Sequence, residues 1–282
     1  MKLVLRAPLF SVGLALFCAL GGPARGADEK AAAKKPLPSA KEIMERYGKA
    51  VGGNEAFMKH KSQHAKGSVE MTAQKLKGTM EVFAARPNKL VLKVTIPGIG
   101  ETATGFDGTV AWANNPLLGP MLLEGKQKDQ IATQADFDHA LHDPAHYKTM
   151  EVLGVQEFNG EECYKLKLVH RTGFESTEYF SIKTGLQTGF EATQESPLGP
   201  ITATSLVTDY RRFGDLFMPS RLSQKAMGME TVMTIEEMEY DKVDPAAFDL
   251  PEPVKTLLEK PAEKPDLPQP AGKKEAAGQV KK

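Results

Sequence analysis

The chain has very little cysteine: Cys18 and Cys163 are the only two in 282 residues. Cys18 lies in a segment that reads as a removable leader, so the mature chain keeps one thiol. One thiol makes no internal disulfide and no cysteine-rich zinc site, which leaves the fold to its core. Charge of one sign is missing too, with 36 basic and 36 acidic residues. No basic patch or stripe stands out, which argues against a nucleic-acid partner. Catalytic punctuation is equally sparse. There is no G-x-S-x-G elbow and no HExxH pair, and Gly98-Ile99-Gly100 lacks the third glycine and following helix of a phosphate-cradling loop.

The most structured local feature is the N-terminus. Lys2 and Arg6 precede an uncharged run from Leu9 to Leu20, and Gly21, Gly22 and Pro23 break it. Ala24 and Gly26 then put small residues at −3 and −1 of a cleavage site, so residues 1–26 read as a secretory signal peptide. The run is too short for a mature membrane span, which needs about 20 apolar residues. A retained N-terminal anchor is the alternative. Lipid attachment at Cys18 is disfavoured because bulky Phe17 precedes it. The protein is therefore expected in the periplasm or otherwise exported, and not transmembrane once the leader is gone. Residues 27–38 and 251–282 are rich in Lys, Glu, Ala and Pro and read as a disordered linker and tail. Residues 39–250 form one expected domain.

Within that domain, Ser39 and Glu42 make a capping box, Ile43, Tyr47 and Val51 share a helix face, and Gly52-Gly53 stops the helix. Asn54 is expected to cap a second short helix. The period then changes to two. Leu90, Leu92, Val94 and Ile96 alternate with Lys89, Lys93 and Thr95, while Met80, Val82 and Ala84 share a face of the preceding strand. Asp107-Gly108 suits a tight turn before Val110-Ala111-Trp112, and Asn159-Gly160 is a strong hairpin signal. Beyond it, Tyr164, Leu166 and Leu168 alternate with Cys163, Lys165 and Lys167. About a dozen such strands predict a mainly β fold, a large curved antiparallel sheet or barrel.

One insertion interrupts the strands. Residues 127–141 read as helical. Residues 114–125 read as a Pro/Gly-broken apolar loop, with Leu117, Leu118, Met121, Leu122 and Leu123 as a lid over a cavity or a plug in the core. Asp136, Asp138, His139, His142 and His146 are the one group with metal-ligand chemistry. Pro144 interrupts the helix before His146, so the expectation is a solvated helix end with no metal. His60 and His64 straddle a helix-to-strand junction and carry less. Cys163 reads as a structural thiol. Met218, Met227, Met229, Met233 and Met238 suit either an adaptable apolar cavity or ordinary core filling.

The segments GKAVGGNEAF, AKGSVEM, KGTMEVFAARPNKLVLKVTIPGIGE, GFDGTVAW, GEECYKLKL, EYFSIKTGL and DYRRFGDLFMPSRL together resemble bacterial envelope proteins related to LolA and LolB, the lipoprotein-sorting carriers. The resemblance spans about residues 39–250. It implies an unclosed antiparallel β-barrel, helices covering its opening, and an apolar cavity for acyl chains. On that reading the chain is a non-enzymatic carrier or sensor of a lipid or lipoprotein acyl chain, with no cofactor and with an envelope protein as donor or acceptor. The expected cavity lining is Met80, Val82, Leu90, Leu92, Val94, Ile96, Trp112, Tyr164, Leu166, Leu168 and Met233. The alternatives are an envelope structural or protein-interaction module without lipid and, third, a hydrolase.

Overall fold

A computed structural model describes residues 36–196 and 199–259. The leader, most of the linker and the tail beyond residue 259 lie outside the described residues.

Two helices open the described chain, α1 (Ala40–Ala50) and α2 (Asn54–Met58). The capping box forms as expected: Glu42 N–H donates to Ser39 Oγ at 3.3 Å, and Ser39 N–H donates to Glu42 Oε2 at 2.7 Å. Ile43, Tyr47 and Val51 are buried. Asn54 does not cap α2. Gly53 holds the cap position at φ 91°, without a side-chain bond.

Six strands follow: β1 (Ser62–Met71), β2 (Leu76–Ala85), β3 (Lys89–Ile96), β4 (Gly100–Phe106), β5 (Ala111–Asn115) and β6 (Gly119–Leu123). Helix α3 (Gly125–Ala135) and two 3-10 turns, Phe137–Leu141 and Pro144–His146, lead to the second series. That series is β7 (Tyr147–Phe158), β8 (Glu161–His170), β9 (Glu175–Ser181), β10 (Gln187–Ser196), β11 (Gly199–Phe213), β12 (Leu216–Ala226) and β13 (Met229–Tyr240). The thirteen strands make one sheet in the order β6-β5-β4-β3-β2-β1-β13-β12-β11-β10-β9-β8-β7. Each series is a meander, and the last strand returns to pair antiparallel with the first. Strands β6 and β7 are free edges, so the sheet does not close.

Local chemistry explains the turns and the bend. Asn159 and Gly160 both have positive φ, 53° and 80°, as the type I′ turn between β7 and β8 requires. A bulge between Lys66 and Gly67 shifts the β1–β13 register. A Cβ on Gly67 would sit 1.8 Å from Thr234 O, so glycine alone permits that approach. Helix α3 touches β4 and β5 near one end of the sheet and also β10 in its second half. A single helix reaches both only if the sheet curls around it, and the face it occupies is the concave one.

Residue parity assigns side chains to the two faces. Leu90, Ala84 and Phe106 point to the concave side, where Phe57 of α2, Phe137, Leu216 and Ala135 of α3 pack with them. Farther along, Tyr47, Ile43 and Met44 of α1 pack on Leu166, Leu168 and Phe180. Val91 and Trp112 point to the other face and pack with Phe248 and Val254. Val254 belongs to a fourth helix, α4 (Glu252–Glu259), and is fully buried. The packed chain thus runs beyond Leu250 to α4, because one buried valine on a short amphipathic helix is enough to seat a segment that composition alone reads as tail.

Candidate functional site

The concave face carries most of the expected lining. Cross-strand register aligns Val82 with Leu92, Met80 with Val94, and Val69 with Met233. Ile96, Met80 and Val69 are buried, whereas Val82, Leu92, Val94 and Met233 are half-buried and stand outside the clusters that the helices form. Leu90, Tyr164, Leu166 and Leu168 share this face but lie beneath helices, Leu166 and Leu168 completely. The face is therefore covered in part and open in part.

Two expectations change at this point. Trp112 pairs with Gly105, which pairs with Val91, and this column faces α4 on the convex side. Trp112 does not line the concave face; the odd parity of the β4–β5 register sends it the other way. The segment expected as a loop lid is the β5–β6 hairpin, held by cross-strand pairs from Ala111–Leu123 to Asn115–Gly119. Leu122 packs with Trp112 and Leu123 with Phe106, while Leu117 and Leu118 stand exposed at the tip. The Pro and Gly residues that suggested a broken loop mark its turn.

Sequence spacing missed a buried polar cluster between the concave face and the 3-10 turns. Glu178 of β9 faces inward between Leu166 and Phe190. Its Oε1 accepts from Ser176 Oγ at 2.9 Å and its Oε2 from Gln187 Nε2 at 2.7 Å. His142 Nδ1 lies 3.4 Å from Oε2 and 2.8 Å from the Tyr147 hydroxyl. Burial raises the Glu178 carboxyl above the ordinary range and pushes His142 down to about 4, so the imidazole is neutral. Burial and the nearby carboxylate also raise the Tyr47 and Tyr147 phenols. Alternation does not single out Glu178, since both faces of β9 carry buried residues.

A second group adjoins it. Asp136 Oδ2 meets His146 Nδ1 in a very short contact and stands 3.5 Å from His170 Nε2. Asp138, by contrast, pairs with Arg86 at 2.5 Å. His139 is half-buried, and desolvation of its ring pushes it down to about 4. His60 and His64 are separate from all of these, paired with Asp241 at 2.9 Å and Glu81 at 3.3 Å. Cys163 is buried, 3.2 Å from Thr188 Oγ1, and burial raises its thiol pKa. A protonated, buried thiol fits a structural role. A cavity of about 320 Å³ opens between α3 and the β8–β9 turn, lined by Asp129, Gln130, Phe174, Glu175 and Thr193 among others. No described helix is long and apolar enough to cross a membrane.

Solved structures share this architecture. A LolA superfamily protein from Nitrosomonas europaea aligns at 15% identity and a TM-score of 0.53, over 76% of this chain and 99% of that one. A DUF1329 family protein from Desulfovibrio piger aligns at 11% identity and 0.52, over 76% and 98%. A domain provisionally described as an outer membrane lipoprotein-sorting protein, from Vibrio parahaemolyticus, aligns at 12% identity and 0.51, over 79% and 100%. No family model and no curated protein matches the sequence. The chain has the open-barrel fold of the LolA superfamily structures, and at these identities the likeness concerns the fold.

Proposed function

We propose that the protein is an exported, non-enzymatic carrier or sensor that holds a lipid or lipoprotein acyl chain against its concave face. The observation that carries this reading is the half-buried tract of Val82, Leu92, Val94 and Met233, which lies beside the helix-covered core and has no helix side chain clustered on it among the described residues. Apolar burial contributes about 0.8 kcal/mol per CH₂. An acyl chain of about a dozen carbons gains up to roughly 9 kcal/mol on that scale before association and ordering costs of similar size. Such binding is reversible, as a carrier needs. Sorting of outer-membrane lipoproteins, with an envelope protein as donor or acceptor, is the process this site would serve. Removal of residues 1–26 on export is part of the same reading.

The test is gentle purification from the envelope, solvent extraction, and mass spectrometry of the bound fraction. A lipid in stoichiometric amount, displaced by a fluorescent fatty-acid probe, supports the reading. A protein that leaves the envelope empty and takes up no probe overturns it. One observation favours a second reading, a protein-interaction module: Leu153 and Val155 lie 47% and 46% exposed on the free edge strand β7, where a partner strand could add.

A further inference from the structure

We propose that Asp136, His146 and His170 form a binding site for a divalent transition-metal ion of the zinc type, which clasps the α3 insertion to the sheet. One ligand atom from each of these residues lies within 4.8 Å of the other two. A tetrahedral ion with bonds of about 2.0–2.1 Å spaces its ligand atoms about 3.3 Å apart. His170 Nε2 and Asp136 Oδ2, at 3.5 Å, already stand at that spacing, whereas His146 Nδ1 meets Oδ2 more closely and would swing outward to admit an ion. Two imidazoles with one carboxylate suit zinc and its neighbours better than magnesium or calcium, which prefer oxygen.

Hydrogen bonding prepares two of the ligands. Asp136 Oδ1 accepts from Asp138 N–H at 3.1 Å, which fixes the carboxylate and leaves Oδ2 aimed at both histidines. His170 is orientated by a chain of hydroxyls. Thr133 Oγ1 donates to Asp129 O at 2.8 Å and therefore accepts from Thr172 Oγ1, 2.5 Å away. Thr172 Oγ1 lies 3.1 Å from His170 Nδ1. The Thr172 N–H donates to the same nitrogen at 3.3 Å, so two contacts from one residue hold the ring. These contacts hold the ring with Nε2 facing the Asp136 carboxylate, 3.5 Å from Oδ2.

His170 is 5% exposed and its Nε2 has no hydrogen-bond partner. That is the cost a bound ion would remove. His146 completes the site from the solvent side, its side chain 27% exposed, leaving a position where water can be the fourth ligand.

The chain path explains why spacing hid this site. Asp136 ends α3, and the two 3-10 turns meet at His142, whose φ of 50° reverses the chain and returns His146 to Asp136. His170 comes from the end of β8, and Arg171 N–H bonds His146 O at 2.9 Å. An ion there would tie the insertion to the β8–β9 turn, a staple where the described residues hold no disulfide.

The experiment uses the untagged full chain, stripped with EDTA and dialysed. It is titrated with ZnCl₂ by calorimetry and with CoCl₂ by visible absorption. One ion per chain is expected, with the d–d absorption of a four-coordinate site. Asp136→Asn and His146→Gln should each weaken zinc binding by more than about tenfold, and Thr172→Val by about 10- to 100-fold, the range for an orienting partner. His64→Gln, in a pair on β1 and β2, should bind as the wild type does. If a variant fails to fold by circular dichroism, the cobalt spectrum of the wild type decides. No saturable uptake by the wild type, or equal uptake by all variants, overturns the proposal.

Discussion

Gln187 donates a 2.7 Å hydrogen bond from Nε2 to Oε2 of Glu178, inside a pocket where burial holds both neighbouring imidazoles, His139 and His142, down at about 4. At neutral pH no imidazolium compensates that carboxylate. Its pKa is raised by burial, so its favourable contribution is present below the unfolded value and lost as pH rises through the folded one. Glu178→Gln should therefore gain stability relative to wild type as pH goes from 5 to 8. Melting temperatures of both proteins at the two pH values measure this. A variant that loses ground at pH 8 would mean the carboxylate is ionised and well solvated.

Trp112 is the chain's one tryptophan, and it reports on α4. It is buried with Val254, and a Cβ on Gly105 would lie 2.6 Å from its ring. Val254→Ser should red-shift the tryptophan emission and cost about 1–3 kcal/mol. Gly105→Ala should cost a similar amount through overpacking, about 1–3 kcal/mol, without exposing the ring to water. Urea unfolding followed by emission wavelength separates the two effects. An unshifted Val254→Ser spectrum would detach α4 from the sheet.

The β5–β6 hairpin makes opposite demands on two leucines. Leu118 is 65% exposed at the tip, whereas Leu122 packs in the Trp112 cluster. Leu118→Ser should change unfolding free energy by no more than about 0.5 kcal/mol. Leu122→Ser should cost about 2–5 kcal/mol, the scale of large-to-small core changes. Equal small losses would restore a freely opening loop in place of the hairpin.

How much of this was legible in the sequence follows from what alternation encodes. The run 89–96 gives strand β3 with its observed bounds because Leu90, Leu92, Val94 and Ile96 alternate with Lys89, Lys93 and Thr95, and Val91 breaks the alternation where Trp112 and Phe248 cover the other face. The capping box at Ser39 and the Asn159-Gly160 turn were equally plain, since each is a local device. Strand β7 was not legible: as an edge strand it leaves Leu153 and Val155 exposed, so its pattern does not separate core from solvent. The face of Trp112 is not legible in the sequence because its parity depends on the register with β4, which no local pattern fixes. His170 lies 34 positions from Asp136 in the numbering, and only the sheet topology and the reversal at His142 bring them together. Glu178 was passed over for a different reason. A buried carboxylate is recognised by the Gln187 and Ser176 donors around it, and those are set by strand pairing.

Adjacent residues on opposite faces give the sharpest test of where a ligand sits. Val91 is buried against Trp112 and Phe248, while Leu92 is half-buried on the concave side and pairs with Val82. The two differ by one position in β3, so a general disturbance of the strand would affect both alike. Val91→Ala removes two methyl groups from a packed cluster and should lower stability by about 2 kcal/mol, at about 0.8 kcal/mol per lost group plus a cavity contribution. It should leave retention of a fluorescent fatty-acid probe unchanged. Leu92→Ser should do the reverse: a smaller loss of stability, because the side chain is already part-exposed, and several-fold weaker probe retention. Chemical denaturation and probe titration on the same two variants supply the four numbers required. If probe binding falls in Val91→Ala and not in Leu92→Ser, the ligand lies on the convex face beneath α4, and the concave tract is only the inside of the fold.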